Sequence, residues 1–186
     1  MNDFNSYSSH ILQEIKTVLS DVSEQDTQSL IREISQAKTI VVCGAGRAGM
    51  AVRGFGMRLG HLGRAAHTIG DSTVPSIGAG DLFLIASGSG ETQTIYDLAV
   101  RAQGNGARIA LVTGSPESRI GKLAHAVVLL KAPSKTKPLP HLASIQPMTT
   151  LNEQCLMLFF DAVVLMLMAK TDETHDTMWG RHSNLE

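Results

Sequence analysis

Thr39-Ile-Val-Val-Cys-Gly-Ala-Gly-Arg-Ala-Gly49 decides how this chain reads. Its first five residues form a short, largely β-branched run without polar alternation, the mark of a strand buried on both faces. Gly44 ends that run, and a helical pattern follows from about Ala48 to His61. The same design returns downstream, where the apolar run Leu82–Ala86 meets Ser87-Gly-Ser-Gly-Glu-Thr92 and then a helical stretch to Gln103. Further strands are expected at Ala65–Ile69, Ile109–Thr113 and Val127–Leu130, with a short helix near Ser118–Ala124 and a loop over Gly70–Gly80. Strands and helices alternating through short links predict an α/β fold: a five-stranded parallel open sheet, flavodoxin-like or Rossmann-like, with helices on both faces.

The flanks are of a different kind. Asp3–Ser20 places Ile11, Leu12, Ile15, Val18 and Leu19 on one helical stripe, and Ser23 is suited to cap a second helix through Leu30, Ile31 and Ile34. The stretch from Lys131 to Met148 holds Pro133, Pro138, Pro140 and Pro147, four of the six prolines, and reads as a long loop, either functional or mobile. Leu151–Lys170 reads as a helix apolar almost all round, so it needs partners on more than one side, plausibly a second copy of the chain. One domain is expected over residues 1–186: N-terminal helices to 36, sheet core 37–130, Pro-rich loop 131–149, then C-terminal helix and tail.

Composition bounds the function. The 186 residues are 43% hydrophobic and 18% charged, which excludes a disordered chain. Sixteen Lys and Arg against 17 Asp and Glu give a formal net charge of −1, so no basic field exists to hold nucleic acid. Met1–Ser9 lacks a basic stretch followed by an apolar one, and Asn152, Glu153 and Asp161 interrupt the longest apolar run. A cytoplasmic protein away from membranes is therefore expected. Cys43 and Cys155 match no metal or redox spacing and read as reduced, buried thiols. The seven histidines show no metal-binding spacing, so no metal site is expected.

The two glycine loops carry the chemistry. In Ser87–Thr92, Gly88 and Gly90 let the backbone turn and present N–H groups, while Ser87, Ser89 and Thr92 add hydroxyl donors at a helix N-terminus. Three hydroxyls, free amides and a helix dipole suit a phosphate monoester. The loop Gly44–Gly49 formally matches a dinucleotide fingerprint, yet the next strand ends Thr68-Ile69-Gly70, with Asp71 only loosely placed for a ribose. Gly46 and Arg47 instead suit a phosphate or sugar oxygen. Glu91 is expected to point away from a bound phosphate, along the helix dipole or toward Arg47. Farther on, Thr150-Leu-Asn-Glu153 fits a capping box, leaving Glu153 as either a cap or a general base. His182, in the tail, is either a solvated side chain or a proton carrier.

Taken in order, Gly44-Ala-Gly-Arg-Ala-Gly49, Met57-Arg-Leu-Gly-His-Leu-Gly63, Ser87-Gly-Ser-Gly-Glu-Thr92, Leu151-Asn-Glu153 and the ending Arg181-His-Ser-Asn-Leu-Glu186 resemble the 6-phospho-3-hexuloisomerases of the sugar isomerase (SIS) domain superfamily. Ala48 stands where that family usually has Ser, and Ser183 where it usually has Ala. The resemblance implies interconversion of D-arabino-hex-3-ulose 6-phosphate and fructose 6-phosphate in the ribulose monophosphate route of formaldehyde assimilation. It implies no cofactor and a homotetramer with active sites at subunit interfaces, joined here through the apolar C-terminal helix. It also makes Glu153 the catalytic carboxylate and His182 a residue that reaches a neighbour's site. The alternatives are another SIS aldose–ketose isomerase, a non-catalytic sugar-phosphate-binding regulatory module, or a small dinucleotide-binding protein.

Overall fold

A computed structural model of the chain describes residues 3–133 and 143–185. Asp3 caps the first helix, α1 (Phe4–Ser20), by accepting from the Ser6 backbone N–H at 2.9 Å. Ser23 caps α2 (Glu24–Gln36) through Asp26 N–H, as its sequence position predicts. Strand β1 (Thr39–Gly44), α3 (Gly46–His61) and β2 (Ala65–Thr68) follow, then β3 (Leu82–Ala86), α4 (Gln93–Gly104), β4 (Arg108–Thr113) and β5 (Ala126–Leu129). The chain closes with α5 (Thr150–Thr171) and α6 (His175–Trp179). Of the Pro-rich stretch, Pro138 and Pro140 lie outside the described residues.

All five strands are parallel, in the order β2-β1-β3-β4-β5. Strand alternation divides the core between two faces. Ile40, Val42, Leu82 and Leu84 point toward α2, α3 and α5, while Val41, Cys43, Phe83 and Ile85 point toward α4. Phe55 of α3 stacks on Phe160 of α5 with ring centroids 4.5 Å apart, which fixes how those two helices meet. Cys43 and Cys155 are free and buried, and burial pushes their thiols up to about 11 and about 12.

Helix α5 is long and apolar enough to cross a bilayer by length and composition. One stripe of it, including Leu151, Cys155, Phe159, Val163 and Leu167, is buried in the core beside α1 and α3. Met157, Leu158 and Leu165 on its other side are exposed at 51%, 42% and 66%, so among the described residues that side is left open to solvent.

The structure corrects two expectations and adds one element. The helix near Ser118–Ala124 is a single 3-10 turn, Gly121–Leu123. The reason is competition: Ile120 donates its N–H to the Gly90 carbonyl, tying the segment to the serine loop instead of to a helix of its own. The capping box at Thr150 does not form. Thr149 is the N-cap of α5, and the Thr150 hydroxyl donates instead to the Pro147 carbonyl at 2.7 Å. A capping box does occur at Thr174 and Thr177, where it starts the short helix α6, which no apolar periodicity announced.

Candidate active site

Strands β1 and β3 are neighbours whose chains continue in opposite directions across the sheet. Open α/β sheets bind ligands at such a switch point, beyond the carboxyl ends of the strands. Both glycine loops leave the sheet there. After β1, a Cβ placed on Gly49 would lie 2.6 Å from the Gly44 carbonyl oxygen, so glycine lets α3 pack directly on the strand end. After β3, the Ser87 hydroxyl accepts from Gly90 N–H at 3.1 Å and the Ser89 hydroxyl accepts from Glu91 N–H at 3.3 Å. Each hydroxyl keeps its own hydrogen to donate. Thr92 is the N-cap of α4, and its side chain makes no cap hydrogen bond to the first turn of that helix. The open N–H groups and the positive end of the helix dipole therefore face the loop.

Gly46, Arg47, Ser87, Gly88, Ser89, Thr92 and Glu153 all line one cavity of about 220 Å3, together with Thr149 and Asn152 from the start of α5. Gly90 is not among the lining residues: it sits behind them with φ +62° and is packed so tightly that a Cβ there would lie 1.9 Å from the Ser118 hydroxyl oxygen. Glu153 is held from two sides. Thr149 donates its hydroxyl to Oε1 at 2.7 Å, and Arg47 Nε lies 3.0 Å from Oε2. Among the described residues its carboxylate caps no backbone N–H, so its contacts are those of a side chain oriented over the cavity.

Glu91 does turn away from the cavity, but its partner is Arg119 rather than Arg47. Arg119 donates from its backbone N–H at 2.9 Å and from Nε at 2.8 Å, and its guanidinium lies 4.5 Å from the centroid of the Tyr96 ring. Those bonds from Arg119 hold the Glu91 carboxyl below its usual range. Glu14 of α1 braces the approach to α5 in a similar way, accepting from Ile145 N–H and the Ser144 hydroxyl, both at 2.7 Å, and from Gln146 at 2.9 Å. Burial pushes the Glu14 carboxyl up, and the bonds from Gln146, Ile145 and Ser144 outweigh it to leave the carboxyl low.

His182 is not brought to this cavity within one chain. It stacks on Trp179 with centroids 5.0 Å apart and lies 5.3 Å from the His61 ring. His61 ends α3, whose first turn carries Arg47; at the helical rise that separates the two sites by about 20 Å. His182 instead lines a second cavity, of about 340 Å3, with Arg58, Leu165, Met168 and His175. Among the described residues no cluster of His, Cys, Asp or Glu is placed to hold a metal ion.

Three site features were not read from the residues. Arg119 lies far along the chain from the loop it clamps, so no local spacing signals it. Thr149 carries no capping spacing of its own, because the T-x-x-E spacing to Glu153 belongs to its neighbour Thr150. Asn152 did carry a signal: it is a polar residue opening an apolar helix, next to the acid.

A family model described as SIS domain matches residues 33–159, more than half of the chain. The 3-hexulose-6-phosphate isomerase of Bacillus subtilis (strain 168) is 38% identical over 180 residues, 97% of each chain. The 3-hexulose-6-phosphate isomerase of Mycobacterium gastri is 39% identical over 185 residues, covering 100% of this chain and 92% of the relative. Among solved structures, a Methanococcus jannaschii protein whose structure infers a function of 3-hexulose-6-phosphate isomerase superposes with a TM-score of 0.78. It is 30% identical, with 96% of each chain covered.

Proposed function

The chain belongs to the SIS domain family, with the 3-hexulose-6-phosphate isomerases among its full-length relatives, and on that premise we propose that it interconverts D-arabino-hex-3-ulose 6-phosphate and fructose 6-phosphate. The observation that carries this reading is the placement of Glu153. Its carboxylate, oriented by Thr149 and Arg47, shares one cavity with a serine-lined helix start suited to phosphate.

The phosphate is bound by the hydroxyls of Ser87, Ser89 and Thr92 and by the open amides at the start of α4. Anchoring that end holds the carbon chain against α5 and limits which carbons reach the acid. Moving the carbonyl from C3 to C2 requires loss of the C2 proton and gain of one at C3. Glu153 removes the C2 proton; the C–H electron pair becomes the C2=C3 double bond, and the C3 carbonyl oxygen takes the charge as a cis-enediolate. The C2 hydroxyl proton passes to the C3 oxygen, and Glu153 returns its proton to C3 as the C2=C3 electron pair forms the new C3–H bond and C2 becomes the carbonyl. Arg47 engages Glu153 through Nε, and its terminal nitrogens serve the enediolate oxygens, where developing charge needs donors. Fructose 6-phosphate closes a ring and the hexulose does not close one through its esterified C6 oxygen, so ring opening concerns the reverse direction.

His182 contributes from a neighbouring subunit in this reading. Leu165 and His182 line the same cavity, so a second copy covering the exposed apolar side of α5 would also meet the tail. A homotetramer in the cytoplasm, acting without a cofactor in formaldehyde assimilation, completes the proposal. The test is direct: hex-3-ulose 6-phosphate is supplied and the product carbonyl is followed by carbon NMR. Formation of fructose 6-phosphate is expected; saturable binding without conversion would make the protein a sugar-phosphate sensor instead.

A further inference from the structure

Asn152 has a buried polar group with nothing to bond. The residue is 2% exposed, and its Nδ2 finds no hydrogen-bond partner among the described residues. Buried donors are normally satisfied, and a donor left open in a native protein calls for an explanation. Ser115 and Gln154 also carry unpartnered buried oxygens, but neither lines the cavity. Asn152 does, in the first turn of α5, immediately before Glu153. It lies against the serine loop as well: a Cβ at Gly88 would be 3.0 Å from its Oδ1. Its carboxamide thus meets the phosphate-binding loop and lines the same cavity as the proposed base. A leucine would suit the surrounding apolar helix better, and an Asn in a first helical turn gains nothing there unless its side chain finds a partner.

We propose that Asn152 binds the sugar itself, its carboxamide hydrogen-bonding an oxygen of the carbon chain between the phosphate and the reacting carbons. A neutral amide both donates and accepts, so it can read a hydroxyl without disturbing the adjacent Arg47–Glu153 pair. The assignment rests on the cavity being a sugar-phosphate site and adds to it the group that distinguishes a sugar from its phosphate.

The experiment titrates fructose 6-phosphate and inorganic phosphate separately into the full-length protein and into Asn152→Ala by calorimetry. Loss of one hydrogen bond to the sugar should weaken fructose 6-phosphate about tenfold while inorganic phosphate stays within about twofold. Equal weakening of both ligands would mean that Asn152 props the loop, and unchanged binding of both would mean that it touches no substrate; either result overturns the assignment. In the wild-type protein, the Asn152 side-chain NH2 resonance should shift with fructose 6-phosphate and stay in place with phosphate, which needs no variant to fold. Wild-type protein that binds no fructose 6-phosphate would bring down the sugar-phosphate reading together with this one, whereas normal wild-type binding with an indifferent Asn152→Ala would bring down this one by itself.

Discussion

Arg47 Nε stands 3.0 Å from Glu153 Oε2, joining the first turn of α3 to the first turn of α5 across the mouth of the cavity. The Arg47 side chain is 57% exposed, and exposed ion pairs add little to stability. The pair is therefore better understood as an orienting contact than as a strut. Substitutions at either residue should separate activity from folding.

Gly90 is the position where the serine loop tolerates least change. Its φ of +62° disfavours any residue with a Cβ by about 1–2 kcal/mol, and Ser118 occupies the space a methyl group would need. Gly90→Ala should lower the thermal midpoint and also weaken binding of inorganic phosphate, because the backbone shift needed to clear Ser118 moves the residue-90 N–H away from the Ser87 hydroxyl it holds. A variant with an unchanged midpoint in calorimetry would contradict this account of the loop.

Much of this arrangement was legible in the residues, for physical reasons that can be named. A parallel strand buried on both faces has no polar interruption, so Leu82–Ala86 is found at the limits the run suggests. Ser23 signals its helix because a cap is a local device. Long-range pairings carry no such mark: Arg119 reaches Glu91 from a turn whose Ile120 N–H is bonded to the Gly90 carbonyl, far away in the chain. The start of α5 was misplaced by one residue because Thr149 and Thr150 are adjacent and either can cap. The spacing to Glu153 favoured the second, while the geometry uses the first to bond the carboxylate itself. Helix α6, with five residues, is too short for an apolar period to show.

The Glu91–Arg119 clamp makes loop stability depend on pH with a definite sign. Arg119 lowers the Glu91 carboxyl below its ordinary value of 4.5 in the folded state. A lowered carboxyl stabilises the fold above the unfolded value and loses that contribution as pH falls through the folded one. The difference in thermal midpoint between wild type and Glu91→Gln should thus be constant from neutral pH down to about 5 and shrink in more acid solution. A difference that grows on acidification would reverse the sign and refute the clamp.

Assembly is testable through Leu165, 66% exposed on α5 and lining the cavity that holds His182. Leu165→Glu should reduce the mass found by sedimentation toward the 19.9 kDa of one chain. Turnover should fall with it, because the proposed assembly is what brings His182 to a neighbour's site. Wild-type protein sedimenting as a monomer with full activity would remove both the interface and the shared histidine.

The role of Glu153 is tested most directly by Glu153→Gln, with turnover of hex-3-ulose 6-phosphate and binding of fructose 6-phosphate measured on the same preparation. Glutamine still accepts the Thr149 hydroxyl but removes no proton. Turnover should fall by about 100- to 10,000-fold with sugar-phosphate binding and the thermal midpoint retained. A folded variant that turns over at the wild-type rate would show that Glu153 is not the base.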